Sequence, residues 1–116
     1  MVHYVVVRTD LPAGVAAAQL VHAAGESSPG NLGAGTFAVV LAVPDEAALM
    51  KVADRLRAAG MPFTLIFESD APWSGQLMAI GARPACRSVM RKVLSSIPLY
   101  RGPAAGVSDL GGVAQR

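Results

Sequence analysis

The chain has 116 residues, 53% hydrophobic and 16% charged, enough apolar surface for one packed domain, which excludes a disordered polyelectrolyte. Its net charge is only +2, yet seven of its ten basic residues lie beyond Arg55 and residues 83–101 hold no acid, so the basic C-terminal third can attract phosphate. A lone cysteine, Cys86, excludes an intrachain disulfide, and no apolar run approaches the roughly 18–20 residues that span a bilayer.

The elements follow from local pattern. Residues 3–8 (HYVVVR) are β-branched and aromatic, as in a strand buried on both faces. No charged segment precedes this run, so it reads as a first strand rather than a leader, and with the single cysteine it predicts a cytoplasmic protein. Leu11-Pro12-Ala13-Gly14 breaks the chain, and residues 15–24 carry Ala, Leu, Gln and Val in helical order with Gly25 as C-cap. Residues 26–35 (ESSPGNLGAG) are loop.

A second strand is expected over residues 36–43. Val43-Pro44-Asp45-Glu46 starts a helix whose apolar stripe is Leu49, Val52, Ala53 and Leu56 and which Gly60 ends. Residues 63–67 form a third strand, 68–75 a polar loop and 76–81 a fourth strand. Pro84 opens a third helix with the stripe Cys86, Val89, Met90, Val93 and Leu94, leaving Arg87 and Arg91 one turn apart on its other side. Residues 95–100 are read as an extended or short helical end.

The order β-α-β-α-β-β-α predicts a three-layer α/β/α sandwich on a small, mostly parallel four-stranded sheet, which the short link between strands three and four makes mixed by permitting an antiparallel pair. Residues 1–101 form the domain, and the Gly/Ala-rich residues 102–116 read as a tail that a partner subunit holds, so a homodimer is expected. The two histidines have no cysteine or acid at ligand spacing, and neither G-x-G-x-x-G nor a P-loop is present, so neither a metal nor another cofactor is expected.

Arg8-Thr9-Asp10-Leu11 followed by Ala18-Gln19-Leu20-Val21-His22-Ala23 resembles the signature of the type 2 peptidyl-tRNA hydrolases. That family carries R-x-D-L at a strand end, a glycine turn, and a helix with A-Q-x-x-H-A. Val43-Pro44-Asp45-Glu46, Leu65-Ile66 and Ala79-Ile80-Gly81 are similar to its later elements, so the likeness covers residues 3–97. Leu11-Pro12-Ala13-Gly14 and the short loop at Phe67-Glu68-Ser69-Asp70-Ala71-Pro72 are closer to a divergent branch, the peptidyl-tRNA hydrolase domain-containing proteins.

The resemblance implies hydrolysis of the ester joining a peptide to tRNA. Such chemistry needs a positioned water, a proton acceptor and donors for the oxyanion. Carried over by position, the acid slot falls on Glu68, with Asp70 nearby, and the slot for a hydroxyl at the last strand falls on Gln76. Arg8, Asp10, Gln19 and His22 match the signature, whereas the family lysine falls on Val15. Glu68, His22, Asp10 and Asp70 are thus the catalytic candidates, and Arg8, Gly14, Gln19, Gln76, Arg87 and Arg91 the substrate-binding ones.

Each has a plainer alternative. His22 can be tied to a backbone carbonyl, Gln19 can satisfy buried backbone, and Arg8 can simply pair with Asp10. Asp10 and Glu68 would meet at one sheet edge if their strands are parallel. Gly14 can expose N–H groups to an anion or merely turn the chain. Trp73 can stack on a base or bury in an oligomer contact, and Cys86 is read as core. Arg87 and Arg91 grip tRNA backbone or face solvent. Activity therefore stays open between a hydrolase of peptidyl- or aminoacyl-tRNA and a catalytically altered tRNA- or nucleotide-binding or accessory module.

Overall fold

The computed structural model describes residues 1–108. The C-terminal part of the expected tail, residues 109–116, lies outside the described residues. The elements run β1 (Val2–Arg8), α1 (Ala13–Ser27), β2 (Phe37–Val43), α2 (Glu46–Ala58), β3 (Phe63–Phe67), β4 (Leu77–Ala82) and α3 (Arg87–Val93). The four strands form one open mixed sheet in the order β2-β1-β4-β3. Only β1 and β2 are parallel neighbours, while β4 is antiparallel to both β1 and β3. The four-stranded mixed sheet is as expected, including the antiparallel arrangement of β3 and β4, although antiparallel pairs outnumber the parallel one. The link of nine residues between β3 and β4 returns the chain beside itself, and β4 then inserts against β1.

This topology makes β1, β2 and β3 point the same way. Their carboxyl ends, and the start of β4, share one edge. Side chains alternate across β1 because a strand has a period of two. Val2, Tyr4 and Val6 pack with Leu49, Val52, Ala53 and Leu56 of α2 and Met90 of α3. Val5 and Val7 pack with Val15, Ala16 and Ala23 of α1 on the other face. All seven β1 residues are buried, as the uninterrupted β-branched and aromatic run predicts.

The helices differ in how they are bounded. Asp45 caps α2 by accepting from the Ala48 N–H at 2.9 Å. Gly60, at φ +69, ends it while the Met61 N–H reaches the Leu56 carbonyl at 3.0 Å. Helix α1 has no side-chain cap, since Pro12 occupies that position. It also runs through Gly25, correcting the expected C-cap. Ser27 Oγ donates to the Ala23 carbonyl at 2.6 Å and lies 2.7 Å from His3 Nε2 of β1. With its hydroxyl proton on Ala23, Ser27 accepts from a histidine N–H. This buried link carries the helix two residues past Gly25 despite glycine's weak propensity.

Cys86 is exposed at the N-cap of α3, not in the core. The reason is upstream: Ala85 exchanges backbone hydrogen bonds with Val2 at 2.9 and 3.1 Å, which keeps the chain extended and delays the helix to Arg87. Val89 is exposed as well, so the apolar face of α3 reduces to Met90, Val93 and Leu94.

After α3 the chain returns along the outer edge of β2. The Ala42 N–H donates to the Pro98 carbonyl and the Tyr100 N–H to the Val40 carbonyl, both at 2.9 Å. This covers an otherwise open edge. Farther on, the Ala104 N–H donates to the Thr9 carbonyl at 2.8 Å, so the start of the tail is fastened to the end of β1 within the same chain. Among the described residues no helix is long and apolar enough to cross a membrane.

Candidate functional site

Two polar constellations stand at the shared sheet edge. The first is built on Arg8, the last residue of β1. Its side chain is buried, and it forms a two-pronged ion pair in which Nε and Nη2 each donate to one Asp10 oxygen at 2.8 Å. Nη1 donates to Gln76 Oε1 at 2.8 Å and to the Leu77 carbonyl at 3.1 Å. A guanidinium presents five donors in a fixed fork, and here most are occupied by protein. Arg8 therefore ties the end of β1 to the start of β4. Glu46 completes this edge by accepting from the Leu77 N–H at 2.7 Å. Its part was missed because an acid in the first turn of a helix reads as a dipole partner. The available signal was that α2 follows β2, whose end must lie beside β1 if the two are parallel.

The second constellation lies between α1 and the end of β3. Gln19, buried on α1, donates from Nε2 to Glu68 Oε2 at 3.0 Å. The other Glu68 oxygen accepts from the backbone N–H of Ser69 at 2.9 Å and of Asp70 at 3.2 Å. The loop carrying them is closed on itself: the Glu68 N–H donates to the Gln76 carbonyl at 3.0 Å and the Gly75 N–H to the Glu68 carbonyl at 2.7 Å. Gln19, His22, Glu68 and Asp70 line one cleft of about 240 Å³, walled by Ala18, Ile66 and Phe67. His22 is exposed and its imidazole makes no hydrogen bond within the described residues, so the expected tie to a backbone carbonyl is absent.

The remaining candidates are elsewhere. Asp10 is held by Arg8 and does not line the Glu68 cleft, so the two carboxylates do not share it. Gly14 is exposed near the start of α1, whereas the cleft opens beside Ala18, Gln19 and His22, one to two turns farther on. Arg87 and Arg91 lie on α3, across the sheet from α1. Trp73 is partly buried against the α1 side of the core.

Val15, in the slot that the resemblance gives to lysine, is 0% exposed and packs with Val5, Val7, Leu11 and Met78. Leu11 is equally buried, so the turn into α1 is sealed by apolar side chains. Among the described residues no group of three or more His, Cys, Asp and Glu is placed to hold a metal ion.

A scan against protein-family models finds no match to this chain, and a search of curated proteins finds none.

Proposed function

We propose that the chain is a three-layer α/β/α protein of the type 2 peptidyl-tRNA hydrolase kind, hydrolysing the peptidyl or a related acyl ester of tRNA. The observation that carries this reading is the meeting of Gln19, His22, Glu68 and Asp70 in one cleft. They come from parts of the chain about 50 residues apart, and Gln19 and Glu68 are joined directly. The placement of α1 on one sheet face and of α2 and α3 on the other supports the layered architecture.

In this reading Glu68 accepts the proton of a water seated in the cleft, with Asp70 beside it as a second acceptor. One Gln19 N–H holds Glu68, and the other is available to the ester oxygen as it gains charge. His22, whose side chain has no hydrogen-bond partner among the described residues, gives a proton to the departing ribose oxygen and is reprotonated by the proton that Glu68 took from the water. The protein works in the cytoplasm as a homodimer, with tRNA as partner.

Peptide release from peptidyl-tRNA tests this. Wild type should exceed Glu68→Gln by a factor of at least about 100, the usual scale of a general base. Equal rates for the two proteins would end the hydrolase reading.

The burial of Val15 favours a second reading, a catalytically altered module that keeps the fold and binds tRNA or a nucleotide. Salt-sensitive tRNA binding without turnover supports it. Absence of binding removes it.

A further inference from the structure

Across the sheet from the Glu68 cleft, a cavity of about 470 Å³ opens between α3 and the β1–β2 part of the sheet. That size lies in the range of small-molecule sites. Arg87 and Arg91 stand one turn apart at its wall. Neither has an ion pair or hydrogen bond among the described residues, and no acid occurs between residues 83 and 101 to neutralise them. The floor is apolar, formed by Val39, Leu41 and Leu94.

Tyr4 supplies a separate indication. It is only 7% exposed and lines this cavity, yet its phenol has no hydrogen-bond partner among the described residues. Buried polar groups are ordinarily paired, so an unpaired phenol facing a cavity marks a place for a ligand acceptor. The opposite wall is held in place. Arg55 donates to the Ser95 carbonyl at 2.8 Å, Leu99 bridges to Leu41, and Ser96 sits between them at φ +71, a conformation uncommon outside glycine.

We propose that this cavity binds a small organic phosphate. The two guanidiniums take the phosphate oxygens, the Tyr4 hydroxyl donates a third bond, and the apolar floor takes the organic body. A polynucleotide needs a track of cations along its backbone, whereas here one pair guards a closed floor. The site is independent of the Glu68 cleft and of the reaction proposed there.

Calorimetric titration of the full chain with phenyl phosphate, inorganic phosphate and phenol tests the proposal. Phenyl phosphate should bind saturably and more tightly than inorganic phosphate, and phenol should not bind. Arg87→Ala and Arg91→Ala should each weaken phenyl phosphate by about tenfold or more, as charged hydrogen bonds do. Tyr4→Phe, which keeps the ring in the core, should weaken it by about threefold. Both arginines are exposed, so circular dichroism of the double variant should match wild type. No saturable binding, unchanged affinity in that folded double variant, or equal affinity for inorganic and phenyl phosphate would overturn it. So would tRNA binding that depends on both arginines while phenyl phosphate does not bind.

Discussion

Replacing Val15 by lysine restores the side chain that the family likeness expects, and it should unfold much of the protein instead. The residue is 0% exposed among Val5, Val7, Leu11 and Met78. An ammonium group has no acceptor in that cluster, so the lysine is held neutral. Keeping a group of ordinary pKa ~10.4 deprotonated at pH 7 costs about 4–5 kcal/mol, at ~1.36 kcal/mol per pH unit. That is comparable to the roughly 5–15 kcal/mol stability of a whole domain. The sign with pH follows directly. The unfolded chain binds the proton and the fold does not, so the variant's stability rises with pH up to the unfolded value. Urea unfolding at pH 7 and pH 10 should show the deficit against wild type shrinking by about 4 kcal/mol. A variant within about 1 kcal/mol of wild type at both pH values would refute this reasoning, because residue 15 would then reach water and a cation there would be available to substrate.

Two further perturbations probe how α1 is seated. A Cβ on Gly81 would lie 2.2 Å from the Ala23 carbonyl oxygen and 2.4 Å from Ser27 Oγ, so Gly81→Ala must push α1 off β4; denaturant unfolding should show a loss of about 1–3 kcal/mol or more. Gly14→Ala, in open space within the same helix, should be neutral or stabilise by up to about 1 kcal/mol, and equal losses at the two sites would contradict the packing argument. Burial lowers the pKa of His3 below its ordinary 6.5, so its contribution is complete above pH 6.5 and is lost as pH falls through the lowered folded value. His3→Gln should therefore flatten the acid limb of stability measured between pH 4.5 and 8, whereas parallel curves for the two proteins would exclude this role.

The parts legible in the sequence are those set by neighbours in the chain. The Asp45 cap and the Gly60 stop bound α2 within a residue or two of the expected ends, and β3 matches its predicted span. The Arg8–Asp10 pair was foreseeable because both flank one strand end. Contacts between distant segments were not. Gly25 lies inside α1 because Ser27 reaches His3, and Cys86 is exposed because Ala85 pairs with Val2. Joining Gln19 to Glu68 required knowing that β3 runs parallel to β1, which depends on β4 inserting between them. Tyr4 was hidden for a similar reason: its cavity exists only because residues 95–99 turn back along β2.

The position of β1 bears on how the polypeptide emerges during synthesis. Its first sheet partner, β2, is complete at Val43, but the second, β4, ends only at Ala82, and the Thr9 carbonyl waits for Ala104. At roughly 5–20 residues per second, about 5–20 s separate the translation of Arg8 from that of Ala104. For the part of that interval before β4 is complete, a hydrophobic strand has one side unpaired. A ribosome-bound chain stopped near Phe67 would display the β1 edge to any passing strand, and one extended past Ala82 would not.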